Sequence, residues 1–353
     1  MPDPIARSNN FGNDVIVVDG MWGAGKSAIS GVIGSMDRVE KKRINSIFEY
    51  TCVGYHLGLV NRQYADTLIS TFVDSLHYDT MIGREVNLRW SDDSGVRDTL
   101  RRGRYLRRLF SRGGDSIVDR IRSENIAAQF VTHELLGVAE ILFATLQDRL
   151  RFVWVTRHPV HLLPYFAAYL ERYDHVREFT LSVENDGSRI PWFGRQFASD
   201  WIQLSAGERA VLCIDYLIRL SWSFLDQHSA VTNRVLVVEF ETFVCDPTPT
   251  MHQLQELLGR QLHPHSARLL RRAQIPRPSP SADGRTFSSL AQSAASSDAR
   301  SERLRYREIL KAHLKSGARE NRKLFETLVR DYDRRHPTVL AAYADEFTEI
   351  HTR

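Results

Sequence analysis

Cysteine is scarce in this chain: Cys52, Cys213 and Cys245 are the three among 353 residues. Widely spaced and odd in number, they make neither a disulfide framework nor a zinc-binding pattern, and they point to a reducing, cytoplasmic setting. No apolar run approaches the ~20 residues that a membrane span requires. The first residues, Met1-Pro2-Asp3-Pro4-Ile5-Ala6-Arg7, lack the apolar stretch of a signal peptide. There is no internal repeat. The basic residues are not interleaved with aromatics across one face and form no recognition-helix signature, which argues against a nucleic-acid partner. With 42% hydrophobic and 25% charged residues, the composition is that of a globular protein able to bury a large core. Nothing in it speaks to oligomeric state.

What is present begins at residue 15. Val15-Ile16-Val17-Val18 is a run of β-branched residues, as expected of a central parallel strand buried on both faces. It flows into Gly20-x-x-x-x-Gly25-Lys26-Ser27, a full Walker A pattern. In such a loop the glycines let backbone N–H groups turn inward around a phosphate. Lys26 adds a point charge, and Ser27 offers a hydroxyl to phosphate or Mg²⁺. Residues 28–33 continue as a helix whose N-terminus reinforces the anion site.

Further strands are predicted at 129–132, 151–156 and 235–240, with helix-period stretches at 67–76 and 135–150 between them. This alternation predicts an α/β fold: a three-layer P-loop architecture with a parallel central sheet and helices on both faces. Ligands of such sheets sit beyond the carboxyl ends of the strands, which singles out 20–27, His133-Glu134, Arg157-His158 and Glu241. Three units are expected along the chain: a P-loop domain over 13–275, a flexible Pro/Ser-rich segment over 276–301, and a helical C-terminal extension over 302–353 with helices at 302–316 and 320–334. Arg101, Arg102, Arg104, Arg107, Arg108 and Arg112 crowd into one stretch without an acid. On a helix they would spread around the circumference, suiting either a solvated surface or an anion site.

Phe130-Val131-Thr132-His133-Glu134 is a strand ending in histidine. Phe152-Val153-Trp154-Val155-Thr156-Arg157-His158-Pro159 is a strand ending in Arg-x-Pro, with a helix following over 162–173. Phe240-Glu241-Thr242-Phe243 then precedes Asp246-Pro247 and a helix over 251–259. From about Asp14 to Gly259 this succession resembles the sulfotransferase family, whose P-loop-type fold binds 3′-phosphoadenosine 5′-phosphosulfate (PAPS). The resemblance implies that His133 is the base that deprotonates an acceptor hydroxyl and that Arg157 grips the 3′-phosphate of the donor. It implies a mainly supporting role for Phe240-Glu241-Thr242-Phe243. The family's donor loop falls on Gly23, Ala24, Gly25, Lys26 and Ser27; its lysine is missing from its usual place, and Lys26 stands where a threonine is usual. The serine expected after Arg157 is also absent, leaving Tyr165 to offer a hydroxyl. A basic C-terminal loop over the 3′-phosphate would draw on Arg277 and Arg285.

The residues carry a reading of their own. A histidine at a strand end beside a phosphate loop is placed as a general base near neutral pH. Lys26, the loop N–H groups and Ser27 would stabilise charge developing on the transferred group. His133 and Lys26 are therefore the catalytic candidates. The donor candidates are Gly23, Ala24, Gly25, Lys26, Ser27, Arg157 and Tyr165, and no metal-ligand set is assigned. Two other readings stay open. An ATP-dependent kinase of a small molecule or nucleotide would need Mg²⁺, with Asp119 (after a short strand) or Asp19 as the acid and the arginine-rich stretch as a lid. A non-catalytic nucleotide- or nucleic-acid-binding protein would use the arginine cluster directly. The acceptor is a small molecule or a glycan, contacted from 50–90, from the polar loop 83–94, or from Trp192-Phe193. Those two aromatics suit either stacking on a sugar or capping a core. Should His133 prove structural, Glu85, Asp92 and Asp93 are the next bases.

Overall fold

A computed structural model of the chain describes residues 5–7, 9–90, 92, 94–173, 178–185, 187–277 and 318–339. Strand β1 (Val15–Asp19) is buried along its whole length, as its β-branched run requires. It lies between β3 (Ala128–Val131) and β4 (Leu150–Thr156), with β2 (Arg43–Ile44) and β7 (Val235–Glu239) at the edges, in the order β2-β3-β1-β4-β7. Every pairing is parallel, with Val17 opposite Phe130 on one side and Phe152 on the other. A separate antiparallel hairpin joins β5 (Ser182–Asn185) to β6 (Ser188–Pro191).

The strand order fixes the layers. Right-handed crossovers put α1 (Lys26–Ile33), which leads from β1 toward β2, on one face. Connections running the other way across the sheet belong on the opposite face: α2 (Ile47–His56), α3 (Arg62–Met81), α6 (Glu140–Leu146), α7 (Pro159–Glu171) and α8 (Ala206–Gln227). The packing agrees, since α2, α3 and α6 touch one another and α7 touches α8, while α1 packs on α11 (Ser266–Arg272). Helix α8 starts at a capping box in which Ser205 and Glu208 satisfy each other's backbone N–H groups. This is the expected α/β three-layer arrangement around a five-stranded parallel sheet. Helix α12 (Arg319–Arg335) buries Phe325, Leu328, Val329 and Tyr332 in the same core. The expected helix at 302–316, and residues 278–301 of the Pro/Ser-rich segment, lie outside the described residues.

Some expectations are corrected. The apolar stretch 135–150 is not one helix. A 3₁₀ turn at Leu136–Val138 precedes α6, a second at Gln147–Arg149 follows it, and Leu150 already belongs to β4. Gly137 lies so close to α8 that a Cβ there would sit 2.6 Å from the Leu220 side chain. Asp119 follows no strand; it is an exposed residue of α5 (Asp115–Glu124), whose buried side is Ile117 and Ile121. Trp192 and Phe193 are buried and cap the core rather than facing solvent.

Half of the arginine-rich stretch is structural. In α4 (Arg102–Arg108) the buried Arg108 reaches Glu40 at 2.9 Å, with Arg104 at 3.6 Å, and Arg101 pairs with Asp37. Burial pushes the Glu40 carboxyl up, but Arg104 and Arg108 outweigh it and hold it below the usual range. Arg102, Arg107 and Arg112 remain exposed.

Candidate functional site

The phosphate loop folds as its glycines demand. Gly20, Gly23 and Gly25 have φ of 154°, 84° and 92°. A Cβ on Gly20 would meet the Val155 carbonyl oxygen at 2.3 Å, and one on Gly25 would meet the Phe240 ring at 2.1 Å. Lys26 opens α1 and is buried, its ammonium donating to the carbonyls of Gly20 and Met21. Burial lowers its pKa, while Glu134, Asp19 and Glu49 pull in the opposite direction.

The turn after β3 builds the second half. Glu134 adopts a left-handed backbone conformation, φ 51°, which turns the chain sharply at the strand end. Its carboxyl oxygen accepts from the Trp22 N–H at 2.9 Å, and its own N–H donates to the Gly20 carbonyl. Glu134 thus clasps the phosphate loop from the neighbouring strand. Asp19 holds the same turn from below, accepting from the Thr132 hydroxyl and the N–H groups of Leu135 and Leu136.

His133 stands on this turn. Its Nδ1 lies 3.2 Å and its backbone N 2.7 Å from Glu49 Oε1, and Trp22 stacks on its ring at 4.2 Å. A carboxylate facing Nδ1 favours the tautomer with its proton there, leaving the Nε2 lone pair as the basic one. Burial and the Lys26 charge lower the His133 pKa, only partly opposed by Glu49. Both influences disfavour the imidazolium and favour the neutral ring. The carboxylate in contact with His133 is Glu49, not the adjacent Glu134.

Arg157 leaves the end of β4 and is buried. It donates to the Gly23 carbonyl at 2.7 Å, with its guanidinium 5.4 Å from the Tyr165 ring and 4.9 Å from the Phe240 ring. Tyr165 also sets the width of the loop, since a Cβ on Gly23 would lie 3.0 Å from it. Glu241 is buried and accepts from the His158 N–H, fixing the backbone beside Arg157.

One cavity of about 690 Å³ joins these parts, within the range typical of small-molecule sites. Gly23, Ala24, Gly25, Lys26, Ser27, His133, Arg157 and Tyr165 all line it, so the catalytic and donor-loop candidates are brought together, whereas Trp192 and Phe193 are not among the lining residues. Lys41, Lys42, Arg272 and Arg277 line it as well, and no carboxylate does among the described residues. Arg285 lies outside the described residues. Of the acids considered for Mg²⁺, Asp19 is spent on the β3 turn and Asp119 is on a distant helix surface. Of the reserve bases, Glu85 pairs with Arg43, Asp92 accepts from Asn87 and Ser94, and Asp93 lies outside the described residues.

Sequence reasoning missed Glu49, Lys41, Lys42 and Arg272. Glu49 sits 84 residues before His133, and only the fold brings them together.

No protein-family model matches the chain, and no curated protein matches it in sequence. Among solved structures it is similar to the sulfotransferase domain of the Synechococcus PCC 7002 olefin synthase, at 11% identity and a TM-score of 0.40, over 88% of this chain and 98% of that one. It is similar to the sulfotransferase domain of the curacin biosynthetic pathway at 13% and 0.38, over 86% and 98%. A mouse sulfotransferase, SULT7A1 complexed with PAP, is similar at 12% and 0.31, over 89% of each chain. At such identities and scores, function is decided by this chain's own residues.

The buried Glu134 carboxyl has a consequence for stability. Burial pushes its pKa from 4.5 up to about 8, against the pull of Lys26. Between those values the folded chain keeps a proton that the unfolded chain has released. This contribution is therefore fully present below about 4.5 and is lost as pH climbs through about 8. Glu134→Gln keeps an oxygen for the Trp22 N–H but cannot ionise. Urea unfolding at pH 5, 7 and 9 should show the variant gaining on the native chain as pH rises. A constant difference across the three would contradict the assignment.

Proposed function

We propose that the chain transfers the sulfonate group of PAPS to a hydroxyl of a polar acceptor, a small molecule or a glycan. The observation that carries this reading is the meeting of Lys26, Arg157 and His133 in one cavity lined by cations and by no carboxylate among the described residues, with Glu49 holding His133 from behind the lining. The strand-end motifs that resemble the sulfotransferase family support it. The acceptor oxygen attacks sulfur as His133 Nε2 takes its proton. The bond from sulfur to the bridging oxygen breaks, and adenosine 3′,5′-bisphosphate leaves with the negative charge that Lys26 and the loop N–H groups stabilise.

Arg157, held between two aromatic rings, is assigned to the 3′-phosphate. Calorimetry tests this with adenosine 3′,5′-bisphosphate and, separately, Mg-ATP. The bisphosphate should bind the native chain more tightly. Arg157→Ala should weaken it by about 1.5–3 kcal/mol, the usual worth of a hydrogen bond to a charged group, and should affect ATP much less. Equal losses for both ligands would remove Arg157 from this role, and preferential binding of Mg-ATP would favour phosphoryl transfer.

A further inference from the structure

Arg102, Arg107 and Arg112 are exposed, and the fold makes no use of them. They share their surface with apolar side chains, because α4 is turned inside out. Its buried side is polar: Arg104 and Arg108 meet Glu40, and the Tyr105 hydroxyl accepts from the Lys41 N–H at 2.8 Å. Tyr105 and Arg108 are 1% and 2% exposed, whereas Leu106, Leu109 and Phe110 are 47%, 40% and 88% exposed. The N–H groups of Leu109, Phe110 and Ser111 bond to carbonyls three residues back, which carries the turn past Arg108. Leu109, Arg102, Leu106 and Phe110 therefore fall within about 100° of arc, with Arg107 just beyond it. A Cβ on Gly83 would lie 2.6 Å from the Arg108 carbonyl, so the end of α4 is seated directly on that backbone. The polar anchors and this close approach hold the apolar side outward.

A helix on a globular surface ordinarily buries its apolar residues, so this face has two unmet needs, a counter-charge and cover from water. No acid lies between Asp98 and Asp115 in the sequence. Among the described residues no carboxylate pairs with Arg102, Arg107 or Arg112. A second copy docked about a two-fold axis would set the face against itself and bring like charges together. The face has six such side chains, far fewer than the ~20–30 residues a side of a stable protein interface. Nucleic acid would meet the arginines but offers little to the aliphatic Leu106 and Leu109. An anionic bilayer meets both needs, with charge at its surface and an apolar layer just beneath. We propose that this face docks on an anionic membrane surface. The arginines meet lipid headgroups while Leu106, Leu109 and Phe110 enter the boundary with the acyl chains. No helix among the described residues is long and apolar enough to cross a membrane, so the contact is peripheral. The inference does not depend on the sulfonate-transfer reading above.

The test is cosedimentation of the full chain with sucrose-loaded vesicles at about 0.1 M salt, where surface charges are only partly screened. One set is phosphatidylcholine alone and the other carries about 30% phosphatidylserine, enough to give the surface a negative potential. The chain should bind the second set and not the first. The double substitution Arg102→Gln, Arg107→Gln should lower the partition coefficient ~30-fold, at ~5-fold per arginine. Phe110→Ser should lower it ~10-fold by removing a large apolar side chain from the inserted face. A diffuse attraction to the net charge of +4 would leave that variant unchanged. All three side chains are exposed, so urea midpoints should match the native one. No binding to either set, equal binding to both, or a coefficient indifferent to either variant would overturn the inference. A dimer in sedimentation velocity that Phe110→Ser dissolves would give the face to a second copy and overturn it as well. So would binding of a single-stranded oligodeoxynucleotide, lost in the arginine variant, by a chain that ignores the vesicles.

Discussion

Lys26→Ala should slow sulfonate transfer by ~10²–10³-fold, the usual cost of removing one preorganised group that stabilises charge in a transition state. Folding should be little affected, because the residue lost is a buried ammonium whose charged form burial already disfavours. The bonds Lys26 makes to the carbonyls of Gly20 and Met21 hold it inside the loop, at the mouth of α1. An anion bound there offers stronger acceptors than those carbonyls, so the ammonium exchanges neutral partners for charged ones. Its worth increases as the bridging oxygen takes up charge, which is why the loss should appear in turnover more than in donor affinity. Single-turnover rates at saturating PAPS, beside the calorimetric affinity for the bisphosphate, separate the two. A variant that turns over near the native rate would show that the loop only binds.

The features legible in the sequence were those written in neighbouring residues. Val15-Ile16-Val17-Val18 followed by the glycines of the loop carries its strand, its turn and its helix locally, and the structure places all three there. The capping box Ser205–Glu208 is equally local. β2 was not legible, because two residues carry no periodicity and exist as a strand only by pairing with Phe130 and Val131. The arginine stretch misled for a related reason. Its composition is that of a surface or a lid, and only the distant Glu40 turns Arg108 into a buried structural ion. Trp192 and Phe193 likewise read the same whether they stack on a sugar or fill a core. The site divides in the same way. Strand ends pointed to His133 and Arg157, whereas Glu49, Lys41 and Lys42 reach the site only through the fold.

Because Glu49 and Lys26 act on His133 with opposite signs, the base can be tested by more than its removal. The native rate should rise with pH through a value below the ordinary histidine 6.5 and then level off, since burial and Lys26 disfavour the imidazolium. Glu49→Gln removes the carboxylate that opposes them, so the inflection should move further down. It also weakens the preference for a proton on Nδ1, and the plateau rate should fall. Lys26→Met removes a lowering influence, so the His133 titration, followed by NMR in that slow variant, should move up. His133→Ala should leave bisphosphate binding nearly intact and cut turnover by ~10²–10⁴, the range of general-base catalysis. His133→Gln keeps a hydrogen-bonding side chain that cannot carry the proton, and should be nearly as slow. A histidine that merely supports the turn would leave the inflection in place in Glu49→Gln and give His133→Gln a native rate. Either result would remove His133 as the base and leave Glu85 and Asp92, with Asp93, as the acids to test.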